Sequence, residues 1–565
     1  MQIECKKRKI PLPGWSAIIT WVLVMFDGKP IALPDLFRAS AREHRLRPAL
    51  WVDGCEISYA ELYDAAIALA AALTAMRGGL RGGRCALLVD RTAAAYTALL
   101  GTLMAGLAYV PLNPRIPGER LVGMMMSSRV DVIIVVDRCV AVAEQVLTSF
   151  PRSLIVVLPD LVTPPNWAVK LRRHRFLCRS DIEWSERPKT DPLVDAEGGA
   201  YLLFTSGSTG APKGVLISHR NAVTYIQNVR DRYRPSCDDR FTQLFDFSFD
   251  LSVHDMFLCW SAGACLYCVP QNAKFGPREF IRQHQLTFWF SVPSTAAFMS
   301  QMRMLRPGDF PTLRWSLFCG EALPVRLAKQ WQEAAPNSTV ENLYGPTEAT
   351  VAFTAYRLPR DAGTAVDERE IVPIGWPLPG QVTAVIDSEG RAVPDGEVGE
   401  LCLGGSQVAS GYWGSPEKTA ERFAPPLNAS AADGSWYRTG DLVVSSPEHG
   451  LLFRGRIDRQ VKIRGHRIEL LEIESVIRAA AGTDMVGVIP WPVTKNGLAI
   501  GIVGFLSGRQ AATEQIMDQC RKRLPEYMLP KELYDLASWP LNGNGKTDYA
   551  GLRSFVERRD VSADH

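Results

Sequence analysis

With 565 residues, 47% of them apolar and 22% charged, the chain has the composition of a globular protein and room for three or four units of ~150 residues, which excludes disorder and a collagen-like rod. Its 63 basic and 60 acidic side chains leave a net charge of +3, so no whole-chain field draws it to nucleic acid or a membrane, and neither is expected as a partner. Twelve cysteines are scattered too sparsely for a disulfide scaffold and imply a reducing, cytoplasmic setting.

The basic cluster Lys6-Lys7-Arg8-Lys9 precedes an apolar run from Trp15 to Phe26 that resembles a signal peptide. The run is too short to span a bilayer comfortably and no small-x-small cleavage site follows. Residues 1–24 are therefore expected to be a dispensable leader, with a large domain over 25–457. Within it, Ala86-Leu87-Leu88-Val89 reads as a strand, Thr92 to Met104 as a helix, and Ala108 to Leu112, Val130 to Val136 and Ser153 to Leu158 as further strands. This alternation predicts an α/β fold with layered, mostly parallel sheets. Residues 160–195 are basic, mixed and Pro-bearing, which predicts a long surface connection. Cys265 and Cys268 form a CxxC inside an apolar run with no second pair, and predict a buried strand rather than a metal or redox site.

After about residue 370, short strands at Val382 to Ile386, Gly399 to Leu403 and Leu451 to Phe453 predict a β-rich subdomain. Val461 and Ile463 alternate before Gly465, which suits a hairpin. Ile473, Val476, Ile477 and Ala480 then mark one helix face. Residues 458–565 are accordingly expected to form a small α+β lobe.

The clearest chemical signal follows the apolar strand at Tyr201 to Phe204. Thr205, Ser206, Gly207, Ser208, Thr209 and Gly210 lead through Ala211 and Pro212 to Lys213 and Gly214. Glycines allow close backbone approach, exposed N–H groups and hydroxyls suit phosphate oxygens, and Lys213 adds a point charge. Pro212 and Gly214 stand where a Walker A loop needs Gly and Ser or Thr, so the loop is of another kind.

Thr205 to Gly214 resembles the phosphate loop of the adenylate-forming superfamily, which comprises acyl-CoA synthetases, luciferases and non-ribosomal peptide synthetase adenylation domains. The resemblance extends in order through Ile57 to Leu62, Leu103 to Leu112, Asn342 to Glu348, Gly399 to Tyr412, Tyr437 to Leu442, Gly455 to Glu474 and Leu541 to Lys546. It covers about residues 30 to 550. It implies use of ATP with Mg²⁺ and a small lobe that rotates between two half-reactions about a hinge at Asp458. Joining a carboxylate to the α-phosphate brings two anions together, so positive charge must sit at the transition state. By resemblance Lys546 supplies it. Asp441 is expected on the ribose hydroxyls, Tyr344 on the adenine face, and Asn342, Gly320, Glu321 and Ala322 beside the base. Gly345 belongs to the same motif, Thr347 is expected on phosphate, Glu348 on the magnesium ion, and Arg456 on the adenylate or between the lobes.

Phe249-Asp250-Leu251-Ser252-Val253 resembles the motif by which amino-acid activators hold the substrate ammonium, with Asp250 as its counter-ion. The upstream Phe245-Asp246-Phe247-Ser248 is a near copy, and the second copy is chosen because Val253, Met256 and Phe257 continue the pattern. The family's pocket positions then fall on Asp250, Leu251, His254, Thr295, Leu317, Cys319, Leu343, Val351 and Ala352. These are mostly apolar and medium-sized, with His254 read as a wall. They imply a small, weakly polar side chain, proline first, then serine or cysteine. Thr295, Cys319 and His254 depart from the proline pattern. Only 19 residues follow Lys546, short of the ~70 a carrier domain needs, so a separate phosphopantetheinylated carrier protein is the expected acceptor. An acyl- or aryl-CoA ligase and a non-catalytic adenylate-binding regulator are the alternatives.

Overall fold

The computed structural model describes residues 31–563, apart from 77, 79–81, 183–192, 207–211, 274–275, 361–370, 428, 431–433, 494–497 and 543–546. The leader and the start expected for the large domain at residue 25 lie outside these residues, as do Gly207, Ser208, Thr209, Gly210 and Lys546.

Two large sheets with helical layers carry the bulk of the chain. The first has seven strands, in the order Arg175–Cys178, Ile155–Leu158, Val132–Val135, Arg84–Leu88, Ala108–Leu112, Gly199–Thr205 and Lys213–Ser218. All its pairings are parallel except the closing hairpin of the last two strands. The central strands are buried along nearly their whole length, which is why they read as unbroken apolar runs rather than alternating ones. The second sheet has nine strands and runs from Trp376–Pro377 through Thr339–Tyr344, Trp315–Phe318 and Phe288–Ser291 to Cys55–Ser58. Helix Ala93–Met104 starts where expected, with the Thr92 hydroxyl accepting from the Ala95 amide. Helix Tyr59–Met76 is opened by a reciprocal cap between Ser58 and Glu61. It is the one helix among the described residues long and apolar enough to cross a membrane, and it packs instead against Ala93–Met104.

The stretch 160–195 is more than a surface connection. It supplies strand Arg175–Cys178, the edge of the seven-stranded sheet, paired with Ile155–Leu158. That strand has only four residues, one of them an exposed Arg, so it carries little apolar periodicity. The Cys265–Cys268 segment is a fully buried strand, as its composition indicates, and the described residues contain no cluster of metal-ligating side chains.

The β-rich part is an antiparallel sheet of Gln381–Ile386, Val398–Gly405, Trp436–Ser446 and Gly450–Arg456. Only residues 457–459 separate it from the hairpin Gln460–Ile463 and His466–Glu469. Arg464 and Gly465, both at positive φ, form the two-residue turn, as a primed hairpin turn requires. Helix Leu470–Ala481 follows, burying Ile473 and Ile477, and packs with a three-stranded sheet into a core of its own.

Candidate functional site

A cavity of about 140 Å³ lies where the two large sheets, the antiparallel sheet and the small lobe meet. Each element brings its residues as a strand ends. Gly199–Thr205 delivers Thr205 and Ser206, and Thr339–Tyr344 delivers Tyr344, Gly345 and then Thr347. A side chain at Gly345 would place its Cβ 2.7 Å from the Ala352 backbone, so glycine alone fits there. Gly320, at φ +95°, completes this side with Cys319.

Asp441 and Arg456 face each other across neighbouring strands and form an ion pair. The Tyr344 hydroxyl donates to the other Asp441 oxygen. Arg456 also grips Asp458 with two hydrogen bonds, Nε to Oδ1 at 2.7 Å and Nη2 to Oδ2 at 2.9 Å. The expected hinge residue is thus tied through Arg456 to the expected ribose ligand. Burial would raise the Asp458 pKa, but Arg456 holds it below the ordinary value, so the pair is ionised.

Asp250 stands on the opposite wall, at the start of a short helix that continues as a π-helical segment over His254–Leu258. It is 9% exposed. Burial pushes its pKa up to about 6 against the opposing effects of a Thr347 hydrogen bond and the Lys462 ammonium. Asp246, from the duplicate motif, does not reach the cavity. Its carboxylate caps a local turn at Ser248.

Of the nine pocket positions, Asp250, Leu251 and Cys319 line the cavity. Leu317, Leu343, Val351, Ala352 and His254 are buried away from its wall, and Thr295 is half-buried on helix Pro293–Gln301. Val351 and Ala352 pack directly on Gly345. His254 shares a 2.6 Å hydrogen bond with the Tyr225 hydroxyl, and burial drives its pKa down to about 3, so it is a neutral packing residue. Asn342 is also off the wall, with its amide donating to the carbonyls of Val372 and Pro373. Ala322 is half-buried and does not line the cavity. Lys213 lies near it, with its ammonium 5.4 Å from the Tyr412 ring.

Glu321 and Glu348 meet the small lobe. Glu321 accepts from the Gly465 amide at 2.7 Å and from the Ser294 amide at 2.8 Å. Glu348 is buried beside the cavity and is paired with Arg467. Magnesium takes most of its oxygens from water and phosphate, so a lone carboxylate such as Glu348, next in sequence to the cavity-lining Thr347, is compatible with that ion.

Sequence reasoning left Lys462, His466, Arg467 and Tyr527 without a role, although all four line the cavity. Lys462 and Arg467 are direct partners across the hairpin and so share a face. Two basic residues placed symmetrically about an Arg-Gly turn are the signal that would have found them. His466 stacks on Tyr527 with ring centroids 3.6 Å apart and meets the Phe249 ring edge-on.

Residues 37–413 match the AMP-binding enzyme family. The chain is 33% identical to L-proline--[L-prolyl-carrier protein] ligase of Streptomyces coelicolor, across 91% of this chain and 95% of the relative. It is 32% identical to tyrocidine synthase 3 of Brevibacillus parabrevis, across 93% of this chain but 8% of that longer protein. The adenylation domain AlmE of Vibrio cholerae, solved in complex with glycyl-adenosine-5'-phosphate, superposes with a TM-score of 0.85 at 34% identity, covering 93% of this chain and 98% of its own. Site geometry and likeness thus agree over nearly the whole length, and the chain belongs to the AMP-binding enzyme family.

Proposed function

We propose that the protein uses ATP to activate a small L-amino acid, proline first, as its adenylate, and passes the aminoacyl group to the phosphopantetheine thiol of a separate carrier protein. The observation that carries this reading is the placement of Asp250. A buried carboxylate faces the same cavity as Tyr344 and Asp441, which are suited to the nucleoside, and it needs a cationic partner. A substrate with an ammonium group supplies one, and a fatty or aryl acid does not. The names of the prolyl relative and of the glycyl-adenylate neighbour both point to small amino acids, in keeping with a cavity of about 140 Å³. Thr205 and Ser206 would cradle phosphate, Asp441 would accept from the ribose hydroxyls, and Lys546 would steady the carboxylate as it meets the α-phosphate. Magnesium, held by Glu348 and phosphate oxygens, would offset charge on the departing pyrophosphate. All of this chemistry requires ATP, which the cytoplasm supplies. ATP–pyrophosphate exchange over a panel of amino and carboxylic acids tests the reading. Exchange with proline, glycine, serine or cysteine supports it, and exchange confined to acids lacking an amino group favours a CoA ligase.

The Asp250 pKa sets a pH dependence. An acid raised to about 6 loses its charge as pH falls through that value, and with it the partner of the ammonium. The KM for the amino acid should therefore climb roughly tenfold per pH unit below about 6, while a desamino analogue shows no such rise. Initial rates between pH 5 and 8 measure both.

Gly465 gives a second expectation. It sits at φ +80°, and a Cβ there would lie 2.7 Å from Val292. Gly465→Val should prevent the hairpin from docking as observed. If this docked state serves thioester formation, transfer to a holo-carrier protein should drop by at least about 10-fold while pyrophosphate exchange persists. Equal loss of both steps would separate the docked state from transfer.

A further inference from the structure

A fully buried carboxylate needs a positive partner. Glu348 accepts from the Tyr412 hydroxyl at 2.9 Å, and its two oxygens receive Arg467 Nη1 at 3.1 and 2.9 Å. Burial alone would raise the Glu348 pKa, yet Arg467 and the surrounding hydrogen bonds hold it below the ordinary value. Lys213 also lies in this neighbourhood, but its ammonium faces the Tyr412 ring and makes no ion pair with Glu348.

Arg467 comes from the small lobe and is held on every side. Its Nε donates to the Gln460 side chain at 2.7 Å, and Gln460 in turn donates to Glu469 at 2.6 Å. Its carbonyl accepts from the Ser206 hydroxyl at 2.7 Å. Arg467 and Gly465 belong to one hairpin, so undocking of that hairpin would break the Arg467–Glu348 pair and the Gly465–Glu321 bond together. Thr347, the neighbour of Glu348, lines the cavity, so a divalent cation arriving on a polyphosphate would compete for the same two oxygens.

We propose that Arg467 is the removable counter-ion of Glu348, so that docking of the Gln460–Glu469 hairpin and divalent-cation binding at Glu348 exclude each other. The proposal rests on the reading of Glu348 as a magnesium ligand. Arg467 is then a positioning residue. A cation bound at Glu348 displaces the guanidinium and releases the hairpin. When the cation departs with pyrophosphate, the buried carboxylate is left without a partner, and recapture of Arg467 drives the hairpin back. Metal occupancy is thereby coupled to lobe position through one carboxylate.

Hydrogen exchange of segment 460–469, followed by mass spectrometry on the full-length protein, tests this without any amino acid present. In the wild type the segment should exchange slowly alone or with α,β-methylene-ATP plus EDTA, and roughly tenfold faster with α,β-methylene-ATP plus Mg²⁺. Arg467→Met should exchange fast without metal and respond little to it. Mn²⁺ affinity of the analogue-loaded variant, read by electron paramagnetic resonance, should tighten about tenfold, because the competitor is gone. Arg467→Lys should restore part of the protection. Glu348→Gln should loosen the hairpin as Arg467→Met does, with the double variant no looser than either single one. A wild-type hairpin indifferent to Mg²⁺, or an Arg467→Met protein with wild-type protection and wild-type Mn²⁺ affinity, overturns the proposal. Should Arg467→Met fail to fold, the lysine and Glu348→Gln variants decide the matter by the same readout. Loss of pyrophosphate exchange with every amino acid would instead overturn the assigned function and leave the metal-linked hairpin to be judged by these measurements.

Discussion

Lys546→Ala should lower amino-acid-dependent ATP–pyrophosphate exchange by ~10²–10³-fold, equivalent to roughly 3–4 kcal/mol of transition-state stabilisation. The substrate carboxylate and the α-phosphate are both anionic, and their approach concentrates charge that no neutral side chain can offset. ATP affinity should change far less, because Tyr344 and Asp441, the groups suited to the nucleoside, belong to the large domain. Leu541, which opens the LNGNGK segment, forms an isolated antiparallel bridge with Thr547, which follows it, and neither lines the cavity. The described residues that the lobe presents there include Lys462, Gly465 and Arg467. The resemblance implies a lobe that turns about Asp458 between two half-reactions, and the Arg456–Asp458 pair is the local contact that such a turn would strain. Exchange rates and nucleotide affinity measured on the same variant check both halves of the expectation. Near-normal exchange would mean that another cation meets the two anions.

Much of the architecture was legible because burial leaves a plain record in the chain. The parallel core strands Ala108–Leu112 and Val132–Val135 are apolar on both faces, and the sequence shows them as unbroken runs. The hairpin turn was equally plain, since Gly465 marks a backbone that has to cross into positive φ. Strand Arg175–Cys178 was not legible. An edge strand of four residues, exposed at Arg175 and buried at Leu177 and Cys178, has no period long enough to detect. The site divides along similar lines. Asp250, Tyr344 and Thr347 sit in compact motifs close to the ends of strands or helices, Asp441 lies mid-strand in another, and the structure gathers them on one cavity. Leu317, Leu343, Val351 and Ala352 were placed by resemblance to the family's pocket positions and lie behind the cavity wall. Register along a strand or loop says which face a residue takes, but not how deep the open space reaches. The cationic pair Lys462 and Arg467 was hidden for a different reason. Its meaning depends on where the small lobe rests, a tertiary fact that no local pattern encodes.

Asp250→Ala should damage the activation of proline or glycine far more than that of the matching desamino acids. In the intact protein a substrate ammonium would meet a carboxylate that is 9% exposed and already under strain from its own burial. Removing the carboxylate leaves the ammonium in a closed site without a partner, at a cost of ~3 kcal/mol or more, which is over ~100-fold in kcat/KM. The desamino acid brings no cation, so for it the same substitution removes a desolvation burden and should be close to neutral. The effect should shrink as pH falls through about 6, because the wild-type carboxyl protonates there and the two proteins converge. Measuring kcat/KM for both substrate types with wild type and variant at pH 5.5 and 8 gives a complete cycle. Equal wild-type activity on proline and its desamino acid would reject ammonium recognition at Asp250 and move the reading to a CoA ligase. Activity confined to a large aromatic or acidic amino acid would keep the ammonium partner but place the side-chain pocket elsewhere than beside Leu251 and Cys319.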